Sequence, residues 1–278
     1  QNFNSLSIKV RSEFDYNNDN ISDKSHNSDL KKLKIINVNS KNELDMFKNA
    51  INMAKFAVFD AIIEEIGPNN NIFKDFIISL PQKEGEIEEI FYFSSEVFQE
   101  NQDLFHQKEI DYKDILPILK EILENKNIIK IGYKIKDIKK LFAQKKINFK
   151  ADDIALIGYI LNSSLGKSAI RILISQYLDD EEGENLGQFF DDLDKNKKNL
   201  ALEEISKRTE ILSARNYFIF KLFFILKDEL EEEKLEKIYQ QYEIPLIDTL
   251  IKMELEGIKI SANKLKELSH NFARGLDI

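Results

Sequence analysis

Asp60 closes the apolar run Phe56-Ala57-Val58-Phe59, so a carboxylate stands at the end of a stretch that reads as a buried strand. A carboxylate in such a place is a candidate ligand for a hard divalent cation, because Mg²⁺ takes oxygen ligands. A metal pair held by such groups uses one ion to activate water and the other to stabilise a leaving oxygen. Two dications about 4 Å apart repel by about 17 kcal/mol at an effective dielectric of about 20, so several carboxylates must surround them. Strand alternation puts residue 62 on the same face as Asp60, and that residue is Ile62.

The other acids offer little help. Glu64 and Glu65 lie beyond the expected strand end and read as solvated loop charges. Asp137 is a substitute candidate on a helix, where a shift of one residue turns a side chain by about 100°. Asp152 reads as exposed. Glu210 points away from the helix face that carries Arg208 and Leu212. The acidic run Asp191-Asp192-Leu193-Asp194 lacks the glycine and distal glutamate of a calcium loop. His26, His106 and His270 fall in a linker, a loop and a C-terminal helix, without metal-ligand spacing. The chain has no cysteine, no glycine-rich phosphate loop and no setting for a serine nucleophile. Phe218, Phe220, Phe223 and Phe224 read as a core stripe rather than a base-stacking platform.

Positioning Asp60 requires a strand and its neighbours. Leu33 to Val38 reads as a short strand, and Ser40-Lys41-Asn42-Glu43 has the capping-box spacing that opens a helix carrying Leu44, Phe47, Ala50 and Ile51. Gly67-Pro68-Asn69-Asn70 reads as a turn. Phe76 to Leu80 and Glu89 to Phe93 read as two further strands joined through Gly85. Helices are expected over Tyr112 to Glu124 and Ile135 to Lys145, with a strand at Ile128 to Ile131 between them. The second half is expected to be helical, interrupted at Glu182-Gly183 and at Asp191 to Asp194, with a long helical pattern from Leu200 to Gln240. Strands first, then alternation, then helices imply an α/β domain with a mixed sheet.

The 278 residues, 42% of them hydrophobic, suffice for one large domain with fragments beside it. No apolar run approaches a membrane span, so the chain reads as soluble. It begins with Gln and carries no signal-like stretch, which suggests an internal piece of something longer. Absence of cysteine fits a cytoplasmic location. The net charge of −9 lowers the expectation of tight DNA binding by this piece alone. A lysine cluster at positions 126, 130, 134, 136, 139, 140, 145 and 146 is the one local exception.

Four segments in order resemble the 3′–5′ exonuclease domain of bacterial DNA polymerase I, a family A DNA polymerase. Lys55-Phe56-Ala57-Val58-Phe59-Asp60 resembles the family's first motif, a strand ending in Asp-x-Glu. Ile131-Gly132-Tyr133-Lys134-Ile135-Lys136 resembles the strand-to-helix turn of the second motif, and Tyr159-Ile160-Leu161-Asn162-Ser163 an intervening helix. Ala201-Leu202-Glu203-Glu204 is similar to the lead-in to the third motif. Tyr242-Glu243-Ile244-Pro245-Leu246, Met253-Glu254 and Gly257-Ile258 look like the opening of the polymerase domain. The resemblance covers residues 33–278 and stops before any polymerase catalytic motif.

It implies a ribonuclease H-like (DnaQ-like exonuclease) fold: a mixed sheet flanked by helices, with a mainly helical second half. It also implies a site of four acids and a water-orienting tyrosine that holds Mg²⁺ or Mn²⁺. At the matching positions this chain has Asp60, Ile62, Ile138 and Leu212 for the acids, and Arg208 for the tyrosine. Three acids and the tyrosine are missing, and Arg208 would add positive charge to the same pocket. The expectation is therefore a weakly ordered linker at 1–32, a degenerate exonuclease-like domain at 33–233 and the start of a polymerase domain at 234–278. The chain would have no intact catalytic set, no cofactor of its own and weak DNA binding by itself. It would support the parent polymerase in DNA replication and repair, with the helical region from Leu200 to Gln240 packed near the start of the polymerase domain. The alternatives are a divergent active metal-dependent exonuclease using Asp60 and Asp137, and a DNA- or protein-binding platform built on the lysines.

Overall fold

A computed structural model describes residues 29–67, 70–94, 110–162, 169–178, 180–194 and 205–276. Pro68, Asn69, Ser163, the segment 201–204, His26 and His106 lie outside the described residues.

The apolar run ending in Asp60 opens β2 (Phe56–Gly67), the strand around which the sheet is arranged. β3 (Asn70–Ser79) pairs with it antiparallel, and β4 (Glu89–Ser94) pairs antiparallel with β3. β1 (Lys34–Asn37) adds parallel to β4 at one edge. On the other side β5 (Ile129–Gly132) lies parallel to β2, and the two-residue β6 (Asp152–Asp153) parallel to β5. The order is β1-β4-β3-β2-β5-β6, the mixed sheet expected from the sequence.

Helices cover both faces. On one face lie α1 (Lys41–Ile51) and α3 (Ile135–Gln144), with α2 (Tyr112–Glu124) against α1. The Ser40 N–H donates to the Glu43 carboxylate at 3.0 Å, closing the capping box that starts α1. Phe47 of α1 meets Phe91 and Phe93 at ring-centroid distances of 4.9 and 5.2 Å. Phe142 of α3 meets Phe73 and Phe76 at 5.1 and 5.6 Å. Aromatic residues of β3 and β4 thus weld this face together, Phe73 joining Phe76 on it through the register shift beside Ile62.

On the opposite face lies α7 (Ile205–Glu232), 28 residues and about 42 Å long. Residues 211–220 of α7 are all buried, because the sheet covers one side and α4 (Ile154–Leu161), α5 (Ile170–Tyr177) and α6 (Glu181–Asp194) cover the others. Phe56 meets Phe220 and Phe224 at 5.3 and 5.5 Å, which fixes the face of β2 that α7 touches. Beyond α7 a left-handed Lys234 (φ 58°) turns the chain. A helical turn at Glu236–Ile238 and a π turn at Tyr239–Glu243 lead into α8 (Ile244–Glu256) and α9 (Ala262–Leu276).

Several sequence expectations need correction. β2 runs on to Gly67 through two register shifts, so Glu64 and Glu65 belong to the strand and not to a loop. Neither Glu182-Gly183 nor Asp191 to Asp194 breaks a helix, since both lie in α6. Asp180 starts that helix by accepting the Gly183 N–H at 2.9 Å, and Leu186 and Phe190 bury one stripe of it. Gly183 is required by contact: a Cβ there would come within 2.9 Å of Ile174 and the Phe218 ring. Within the long pattern expected from Leu200 to Gln240, the described helix runs from Ile205 to Glu232 and ends before the left-handed Lys234. Before β1, Asp29–Lys32 forms a 3-10 turn and Leu30 is buried.

Candidate functional site

The face of the sheet beneath α7 is set by register. Asp60 stands opposite Ile77, and Ile62 opposite Asp75. Ile77 in turn stands opposite Tyr92. Directly opposed residues share a face, so Asp60, Ile62, Asp75, Ile77 and Tyr92 all point toward α7. On α7, Arg208, Leu212 and Arg215 stand four and three residues apart and present one stripe to them.

Two buried ion pairs join strand to helix. Arg215 grips Asp60 with Nε at 2.6 Å from Oδ2 and Nη2 at 2.9 Å from Oδ1. The Ala61 N–H also donates to Asp60 Oδ1, at 2.8 Å. Both side chains are at most 4% exposed. Arg208 donates from Nε to Asp75 Oδ2 at 3.0 Å, and the Tyr92 hydroxyl donates to the other oxygen of Asp75. Burial, followed by the adjacent Asp75 charge, pushes the Tyr92 phenol far above its ordinary range, so it stays a donor. Just beyond, the Ser79 hydroxyl donates to Asn216 Oδ1 at 2.8 Å, and Asn216 Nδ2 donates to the Val58 carbonyl at 3.0 Å.

Leu212 is fully buried between the two arginines, and Ile62 is 8% exposed beside Asp60. Ile138 is buried in the packing stripe of α3. Arg208 faces the same side of the sheet as Asp60, as its position implied, but its charge is matched by Asp75. Arg215, Asp75 and Tyr92 were missed in the sequence. The sequence offers only a partial signal: two of its five arginines, Arg208 and Arg215, stand seven residues apart on one helix face, which does not name their partners. A buried guanidinium requires a carboxylate, and Asp75 has the strand parity to supply it.

A dinuclear metal centre does not fit this residue set. Both Asp60 oxygens are engaged by a guanidinium, and the neighbouring acid positions hold branched aliphatic groups. Among the described residues no group of three or more His, Cys, Asp or Glu could hold a metal ion. Asp137 lies on the surface, its side chain 60% exposed and 3.8 Å from Lys136, so it does not stand in for a buried ligand. His270 is exposed on α9.

Asp153 is a structural acid. Its carboxylate accepts the N–H groups of Lys134, Ile135 and Ala155 at 2.9, 3.0 and 3.0 Å, tying the starts of α3 and α4 together. Burial still pushes its carboxyl up, against these backbone donors. Asp152 is not merely exposed, as expected, but half-buried beneath Tyr239. The Tyr239 hydroxyl donates to Asp152 at 3.0 Å and accepts the Asp153 N–H at 2.9 Å. The lysine cluster is also divided. Lys139, 4% exposed, pairs with Asp248 at 2.6 Å, while Lys136 and Lys140 both hold Glu254, Lys140 at 2.9 Å.

The sheet order, the flanking helices and the strand carrying Asp60 define a ribonuclease H-like fold of the DnaQ exonuclease type, with a mainly helical second half. Within that class the resemblance to DNA polymerase I read from the sequence holds. Over 170 residues, 60% of this chain, it is 27% identical to DNA polymerase I of Rhizobium leguminosarum, and spans 16% of that relative's length. No family model matches the chain. The POL domain of Pol1 from M. smegmatis, in complex with DNA primer-template and dNTP, superposes with a TM-score of 0.60 at 14% identity, covering 86% of this chain and 35% of that one. Brucella melitensis NrnC superposes with a TM-score of 0.55 at 12% identity, covering 81% of this chain and 94% of that one. No helix among the described residues is long and apolar enough to cross a membrane.

Proposed function

We propose that this chain is a proofreading-type domain of a DNA polymerase I-like protein whose hydrolytic centre has become an internal strut. Residues 33–233 would form the exonuclease-like unit and residues 234–278 the start of a polymerase domain, the whole serving DNA replication and repair as a structural module. The observation that carries the reading is the bidentate Arg215–Asp60 pair, which occupies the one acid retained from the family's set. A guanidinium brings a single charge and fixed geometry where the family places two dications. The apolar neighbours Ile62 and Leu212 gain burial where metal-bound water would otherwise sit. The ion pairs from α3 to α8 support the second part of the reading, because they fasten the start of the expected polymerase domain to the sheet unit.

The test is digestion of end-labelled single-stranded DNA by the purified chain with Mg²⁺ or Mn²⁺, with Asp60→Asn measured alongside. The expected result is no metal-dependent shortening in either protein. Shortening by the parent chain that disappears in Asp60→Asn would overturn the proposal in favour of a divergent exonuclease.

A further inference from the structure

A cleft of about 940 Å³ opens between α8 and the side of the sheet unit formed by the end of α2, the end of α3 and the segment Ile147 to Lys150. Its size lies within the range of small-molecule sites, about 300–1,000 Å³. Five lysines line it (Lys126, Lys130, Lys139, Lys150 and Lys252) against two carboxylates, Glu124 and Asp248. The lining therefore carries a net charge of +3 in a chain whose net charge is −9. Lys139 is neutralised by Asp248 at 2.6 Å. Lys130 is not: it is 7% exposed, and its ammonium donates to the Asn125 carbonyl at 2.7 Å. Burial alone pushes Lys130 down from its ordinary range, with no carboxylate among the causes. An approaching anion would relieve that cost. Lys126, Lys150 and Lys252 are exposed around the same opening. The floor is apolar, made by Leu123, Ile147 and Phe149.

We propose that this cleft binds phosphate-bearing nucleotides, free or at the end of a strand. Lysine ammoniums serve phosphate as mobile point charges, and the apolar floor suits a base or sugar better than a carboxylate side chain. The cleft is separate from the Asp60 site. Lys126 and Lys130 flank the start of β5, whereas Asp60 follows Phe59, which pairs with Gly132 at the end of β5. A ligand here would touch the sheet unit and α8 together, through Lys130 on one side and Lys252 on the other.

The test titrates the full chain, in metal-free buffer at low salt, with four probes. These are inorganic pyrophosphate, a deoxynucleoside triphosphate, and a short oligothymidylate with and without a 5′-phosphate. The combined variant Lys126→Glu, Lys150→Glu and Lys252→Glu changes only exposed positions. A control variant, Lys113→Glu, Lys237→Glu and Lys264→Glu, makes the same charge change on exposed lysines elsewhere. Saturable binding is expected, weakened more than about tenfold in the cleft variant and less than about threefold in the control. Tighter binding of the triphosphate identifies a free nucleotide; tighter binding of the phosphorylated oligonucleotide identifies a strand end. Absence of saturable binding, equal loss in both variants, or equal competition by polyglutamate would overturn the proposal.

Discussion

Asp60 shows how one side chain changes meaning with its partner. A carboxylate ending an apolar strand reads as a metal ligand, yet here it closes a buried ion pair with Arg215. Removing one member of such a pair leaves an uncompensated charge in the interior, at a cost of about 3–5 kcal/mol. Asp60→Ala and Arg215→Ala should each lower unfolding free energy by that amount in urea titrations. The double replacement Asp60→Leu with Arg215→Met should recover most of the loss, because exchanging a buried pair for packed apolar groups is often neutral. If the single variants unfold like the parent chain, the pair carries no such role. The positions Ile62, Ile138 and Leu212 were reached through the family resemblance, motif by motif; strand alternation by itself ties only residue 62 to Asp60. Arg215, Asp75 and Tyr92 were not legible, since pairing across the sheet depends on the register of three strands, which no local spacing encodes.

Among the elements, α8 is docked by the buried Ile244, Ile247 and Ile251 with ion pairs to α3 beside them, and the π turn before it is held by hydrogen bonds. Lys136 and Lys140 hold Glu254 below its usual carboxylate range, with the Lys136 hydrogen bond as the largest cause. A depressed carboxylate contributes stability that is present above its unfolded pKa of about 4.5 and is lost as pH falls through the lower folded value. Amide protection factors in α8, corrected for intrinsic exchange, should therefore fall below about pH 4.5, and also at high salt. Glu254 is one-third exposed, so the effect should stay below about 1 kcal/mol. Protection factors in α8 that ignore both pH and salt would contradict this contribution. Tyr239→Phe should cost about 1–3 kcal/mol, because it strips the buried Asp153 N–H of its acceptor and Asp152 of a donor. Thermal unfolding unchanged in that variant would show the contact to be idle. The start of α1 was legible because its capping box announces it. The continuity of α6 was not, because Gly183 looks like a breaker until Phe218 is seen packed against it.

At the scale of the whole molecule, one sheet separates an aromatic face from a face that carries buried charge. The aromatic face packs on α1 and α3; the charged face meets a single long helix whose arginines reach the strands. The order of strands and helices was legible as an α/β class with a mixed sheet, because apolar runs and turn residues mark its elements. The account's central claim is that a guanidinium, not a metal pair, satisfies Asp60. Crystals soaked in Mn²⁺ and measured for anomalous scattering test it most directly. The account predicts no manganese peak within coordination distance of Asp60 and an unchanged Arg215 contact. Two peaks about 3.5–4 Å apart, bridged by the Asp60 carboxylate with Arg215 displaced, would contradict it.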